Sequence, residues 1–271
     1  MEDRPPLATL STKRDIQILR FSLLYNPFDL IERLALASRR RRRFSRLRGT
    51  PAAALALGHI DSLELLELLA PDPPKVIYDI GANVGTWTCL AKSLFPTARV
   101  EAFEPLTSHF EGFRRWTAPW PHGVRLHACA LGPVAGSATM HVMNFSDASS
   151  LLEPTAAGLD EFKIKPAVTQ PVSVVTLDAV ATKVQLPLPD LIKLDVQGYE
   201  LEVLRGGQEC LRHSRAVLTE VSFKAFYVGQ PLFHDVVAFL AGRGFVLHAL
   251  GEGTALGAPL IQTDALFLRS S

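Results

Sequence analysis

Lys75-Val-Ile-Tyr-Asp-Ile-Gly-Ala-Asn-Val-Gly-Thr-Trp87 is the stretch from which the fold is read. Val76–Ile80 is a short apolar run of the kind that forms a strand buried on both faces, with Asp79 near its end. Gly81-Ala-Asn-Val-Gly85 follows without a break. From Gly85 the apolar spacing becomes helical and puts Trp87, Leu90, Ala91 and Leu94 on one side. The expected unit is strand, glycine turn, helix. Gly81 permits a sharp turn and the approach of a ligand to the backbone, while the first helical turn offers unpaired N–H groups to that ligand. A purely structural glycine turn would look the same.

The next segment favours a ligand. Arg99–Phe103 reads as a second strand ending in Glu104-Pro105, which sets a carboxylate 23 residues beyond Gly81. An acidic residue at about that spacing is where α/β nucleotide binders hold two ribose hydroxyls. Pro105 suits the first position of a following helix, Leu106–Trp116. Dinucleotide binders usually have G-x-G-x-x-G, but the second glycine position here is Asn83, and Asp79 would repel a pyrophosphate. A cation with an amino group and a sulfonium, as in S-adenosylmethionine, suits the charge better.

These features, with Leu191-Ile-Lys-Leu-Asp-Val-Gln-Gly-Tyr-Glu-Leu-Glu-Val-Leu-Arg-Gly-Gly207, resemble the FkbM family of S-adenosylmethionine-dependent methyltransferases. Thr176-Leu-Asp178, Glu220 and Asp264-Ala-Leu-Phe267 are similar to that family too, and the likeness runs from about Val76 to Leu268. Gln197 is a departure, since many members carry glutamate there. The resemblance implies a class I methyltransferase fold: a doubly wound, mostly parallel seven-stranded Rossmann-like sheet whose last strand is antiparallel. It also implies a hydroxyl acceptor on a sugar, glycolipid or polyketide-like natural product.

The 271 residues, 48% apolar, suffice for one α/β domain with an N-terminal extension, divided here as 1–50 and 51–271. A formal charge of +1 advertises no nucleic-acid partner. Cys89, Cys129 and Cys210 are too widely spaced for a thiolate metal site or a disulfide framework, which suggests a cytoplasmic chain. In the extension, Asp15–Tyr25 and Phe28–Ala37 have helical spacing, and Arg39–Arg48 holds seven arginines. Such a run is solvated by mutual repulsion, either as a charged linker or as a peripheral contact with an anionic membrane surface.

Ala52–Leu69 is expected to form a helix ahead of the first strand. Beyond Val124–Ala128, the third strand, Ser137–Met143 and Val172–Val175 alternate like half-exposed strands around a long loop, Asn144–Pro171, read either as a substrate-side cover or as a mobile surface loop. Leu191–Leu194 and Ala216–Thr219 are the fourth and fifth strands, followed by a helix over Pro231–Leu240 and strands over Phe245–His248 and Ala265–Leu268. Tyr199–Leu204 is helical, with Gly206-Gly207 as a C-cap. Alternating strands and helices imply a parallel twisted sheet that binds ligands outside the strands' carboxyl ends.

Asp195 and Glu220 both fall on that edge and are the candidate bases for deprotonating a hydroxyl, with His141 a third. The two carboxylates would also suit a divalent cation such as magnesium, although no histidine pair at ligand spacing accompanies them, and a metal is not favoured. Asp79 and Gly81 are assigned to the methionine end of the cofactor, Asn83 and Gly85 to the shape of the turn, Glu104 to the ribose, and Leu106 and Ala130 to adenine. Asp195 would alternatively cap the turn at Gly198, and Glu200 reads as a solvated helix residue. Two rival functions are a nicotinamide-dependent oxidoreductase and a non-catalytic, membrane-docked scaffold of the same fold.

Overall fold

In a computed structural model of the chain, the described residues are 31, 34, 35, 38, 41, 42 and 45–270, without 56–58, 145–147, 163–164 and 252–259. The chain divides into two compact units, Met1–Arg48 and Gly49–Ser271. The helix expected over Asp15–Tyr25 lies outside the described residues, and so does most of Phe28–Ala37. Ile31, Leu34 and Ala35 of the latter are helical.

The second unit is built on β1 (Val76–Ile80), which is flanked in parallel by β2 (Arg99–Phe103) on one side and β7 (Leu191–Leu194) on the other. Every residue of β7 is buried, as continuous apolar strands of a covered parallel sheet must be. β3 (Val124–His127) continues the sheet beyond β2, and β8 (Ala216–Ser222) pairs in parallel with β7. β10 (Gln262–Arg269) then runs antiparallel between β8 and β9 (Phe245–Leu250), completing seven strands in the order β3-β2-β1-β7-β8-β10-β9. This is the expected doubly wound sheet with an antiparallel last strand.

Around it lie α1 (Ile60–Glu67), α2 (Thr86–Leu94), α3 (Phe110–Thr117), α5 (Leu177–Val184), α6 (Glu200–Arg205), α7 (Gln208–His213) and α8 (Phe233–Ala241). The largest apolar cluster joins β1, β7, β8 and β10 to α5–α8 through Tyr78, Ile192, Leu204, Leu211, Leu240 and Phe267 among others. A second sheet of three strands, in the order β4 (Ala130–Leu131), β6 (Pro166–Val175) and β5 (Gly136–Met143), buries Met140, Val172 and Val174 against Leu106.

Several expectations need correction. The helix read over Ala52–Leu69 is a 3₁₀ turn at Pro51–Ala54 followed by α1, with 56–58 between them outside the described residues. Pro105 is not the first helical residue: a 3₁₀ turn starts at Thr107 and α3 only at Phe110. The long loop Asn144–Pro171 contains α4 (Ala156–Phe162) and the first half of β6, so much of it is regular. Gly206 ends α6 with right-handed torsions (φ −83°), so the glycine pair serves close packing and not a left-handed cap; a Cβ on Gly206 would stand 2.1 Å from the Gly132 carbonyl oxygen. The three cysteines are free thiols, and no described helix is long and apolar enough to cross a membrane.

Candidate active site

The carboxyl ends of β1, β2, β7 and β8 open into a cavity of about 900 Å³. Its floor is the turn after β1. Gly81 has φ +78°, and a Cβ there would fall 1.9 Å from the Asp195 carbonyl oxygen, so this closure of β1 on β7 accepts only glycine. The N–H groups of Gly81 and Ala82 donate to the Phe103 carbonyl at 3.0 and 3.1 Å, which ties the turn to β2. Asn83 is left-handed as well (φ +48°), with its Oδ1 accepting from Val84 N–H at 2.6 Å. Gly85 lies behind the lining, where a Cβ would meet the Phe113 ring at 2.9 Å.

Glu104 sits at the end of β2 as expected. Its Oε2 accepts from Asn83 N–H at 2.9 Å and its Oε1 from Leu106 N–H at 2.8 Å, which orients the carboxylate and leaves lone pairs toward the cavity. Leu106, Ala130 and Leu131 line the same end and offer the apolar surface a purine needs. His109 belongs here too: it is buried beside Glu104, with Nδ1 3.3 Å from Oε1.

Asp79 departs from its assignment. It is fully buried and does not line the cavity; Thr88 donates to its Oδ2, and Lys193 Nζ stands 3.2 Å from its Oδ1. β1 and β7 pair with Asp79 opposite Lys193, so the strand register itself makes this ion pair. Buried and paired with Lys193, Asp79 presents no open charge that would repel a pyrophosphate. Burial works to deprotonate Lys193, but Asp79 and then Asp195 outweigh it and keep the ammonium charged.

At the opposite end the two candidate bases come together. Asp195 is 43% exposed at its side chain, and its Oδ1 accepts from Gln197 Nε2 at 2.8 Å. The same Nε2 donates to Glu220 Oε2 at 3.2 Å, and Gln262 Nε2 reaches that oxygen at 3.0 Å. Asp264, paired across β8 and β10 with Glu220, receives a 2.6 Å hydrogen bond from Ser62. Burial first, and then Asp195, Glu200 and Asp264, push Glu220 well above the usual carboxylate range. Among the described residues, no group of three His, Cys, Asp or Glu side chains is arranged to hold a metal ion.

His141, the third candidate, is not brought to the site. On β5 its neighbour Met140 lines the cavity, while its own backbone pairs with Ser150 at 2.8 Å. Glu200 is not solvated: it is 4% exposed and accepts from the N–H groups of Val196 and Gly198, both at 3.1 Å. It thereby does the capping assigned to Asp195, and burial raises it to about 7. Lys193, Gln197, Trp87, Gln262 and Asp264 were given no role in the site from the sequence, although Gln197 stood out as a departure from the family and Asp264 opened a motif similar to it. Only the strand register and the turns reveal them.

The family profile described as Methyltransferase FkbM domain matches residues 79–247. Hexuronic acid methyltransferase AglP of Haloferax volcanii is 27% identical over 164 residues, 60% of this chain; the match spans 62% of that relative, less than two thirds of its length. The 2-O-methyltransferase NoeI of Sinorhizobium fredii is 32% identical over 188 residues, covering 66% of this chain and 74% of its own. Among solved structures, magnesium protoporphyrin IX methyltransferase ChlM of Synechocystis with bound S-adenosylmethionine aligns with a TM-score of 0.47 at 14% identity, over 98% of this chain and all of that one.

Proposed function

The chain belongs to the FkbM methyltransferase family, and from that premise we propose that it moves a methyl group from S-adenosylmethionine to a hydroxyl of a sugar, glycolipid or polyketide-like acceptor. The observation that carries the reading is one cavity with an adenosine-like end at Glu104, Leu106 and Ala130 and a paired-carboxylate end at Asp195 and Glu220. The residues fit the cofactor: a glycine floor that no Cβ can occupy, an oriented carboxylate for ribose hydroxyls, and apolar walls for the base.

When bound, S-adenosylmethionine supplies an electrophilic methyl on a cationic sulfur: the new O–CH₃ bond forms as the S–CH₃ bond breaks and its electron pair stays on sulfur. The chain's part is to place the hydroxyl in line and take its proton. Alignment of this kind lowers a barrier by roughly 7–11 kcal/mol in favourable cases. The Asp195–Glu220 pair takes the proton, a step worth about 10²- to 10⁴-fold. Gln197 donates to both carboxylates from between them, where a shared cation would have to stand, so we assign the pair to proton transfer.

A thermal-shift comparison separates this reading from the nicotinamide rival. S-adenosylhomocysteine is expected to raise the melting temperature in a saturable manner and NADH to leave it unchanged. The reverse pattern would replace the methyltransferase reading with an oxidoreductase one.

A further inference from the structure

Resting on that reading, we infer that the acceptor is a neutral or amino-bearing polyhydroxylated ring and that the site discriminates against carboxylated sugars. Asp195, Glu220 and Asp264 line the acceptor end, and Lys193 is the one lysine or arginine among the described lining residues. That lysine is already matched by buried Asp79 at 3.2 Å. A carboxylate brought to this end would meet the charge of Asp195 and the carboxyl oxygens of Glu220 and Asp264, with no unmatched lysine or arginine among the described lining residues to answer it.

A second feature points to a ligand at the same end. Trp87 lines the cavity with its ring 5.6 Å from Lys193 Nζ, and its Nε1 is buried without a hydrogen-bond partner. A buried indole N–H is ordinarily partnered, and Trp87 stands at the cavity wall with this donor unmatched. Asp195 and Glu220 present carboxyl oxygens, which accept hydrogen bonds, at this end of the cavity. The Gln197 and Gln262 amides, each donating to Glu220, hold that acceptor array open toward hydroxyl or ammonium donors. A donor-rich, uncharged ring satisfies this end, and an ammonium satisfies it further.

The test is transfer of labelled methyl from S-adenosylmethionine to three probes: methyl β-glucoside, methyl β-glucosaminide and methyl β-glucuronide. The expected result is kcat/KM for the glucoside or glucosaminide at least about tenfold above the glucuronide, the size of a like-charge penalty after screening. Gln262→Lys, which keeps a donor near Glu220 and adds a cation, is expected to narrow that ratio severalfold. A glucuronide used as well as the neutral sugar, or a ratio untouched by Gln262→Lys, overturns the inference and leaves the methyltransferase reading intact. Transfer to none of the three also overturns it, and only the further loss of S-adenosylhomocysteine binding would remove the function proposed above.

Discussion

At the scale of single residues, the Asp79–Lys193 pair shows how the site's charge is arranged. Removing one partner of a buried ion pair strands the other, at a cost of about 3–5 kcal/mol. Lys193→Met is therefore expected to lower the unfolding free energy by roughly that amount, read by urea denaturation. A loss under about 1 kcal/mol would mean that the pair is solvated. Gln197 has a different role. Its amide donates to Asp195 and Glu220, and its Oε1 lies 3.1 Å from the Tyr227 hydroxyl. Gln197→Glu replaces those donors with a third carboxylate, which raises the proton affinity of both neighbours. Activity that depends on the deprotonated pair then rises at higher pH than in the parent chain, with kcat reduced more than KM is changed. An unshifted acid limb of the pH–rate profile would remove Gln197 from the machinery.

At the scale of elements, the turn Val196–Gly198 depends on a carboxylate from the helix that follows it. Glu200 is raised to about 7 by burial, against an ordinary 4.5. The folded chain thus binds a proton there that the unfolded chain has released. Stability contributed at this position is fullest below pH 4.5 and falls as pH climbs from 4.5 through 7, by about 3 kcal/mol for a shift of that size. Glu200→Gln keeps an acceptor oxygen and removes the titration, so its stability relative to the parent is expected to improve between pH 5 and pH 8. Equal pH dependence of the two would show that Glu200 is not buried. Strands β1 and β7 were legible because a parallel strand covered on both faces is a largely apolar run, and β2 and β8 because each holds a short apolar stretch ahead of a carboxylate. The cover between β5 and β6 was not: α4 is seven residues long, and its Gly158 packs where a Cβ would be 2.5 Å from the Phe226 carbonyl oxygen, so its place is set by a distant contact. Glu104 and Asp195 could be found because they follow strand ends, and Glu220 because the apolar run that opens β8 stops just before it, although that strand goes on to Ser222. Lys193 and Asp264 could not, since their roles come from lying opposite Asp79 and Glu220 in neighbouring strands.

For the whole molecule, the main core draws on residues from Tyr78 to Phe267, all within the second unit. A chain beginning at Gly49 is therefore expected to unfold in one cooperative transition by calorimetry; a broad, non-cooperative trace would contradict a self-sufficient core. The architecture also explains why the chemistry collects at one edge, since every parallel strand delivers its last residue to the same side. For methyl transfer, that edge must hold S-adenosylmethionine. Calorimetric titration with S-adenosylhomocysteine, on the parent chain and on Glu104→Ala with its fold checked by thermal transition, asks this directly. The prediction is saturable, micromolar binding in the parent that weakens by at least about tenfold once the ribose carboxylate is gone. Equal affinity in both chains would place the ligand elsewhere and contradict the assignment of the cavity.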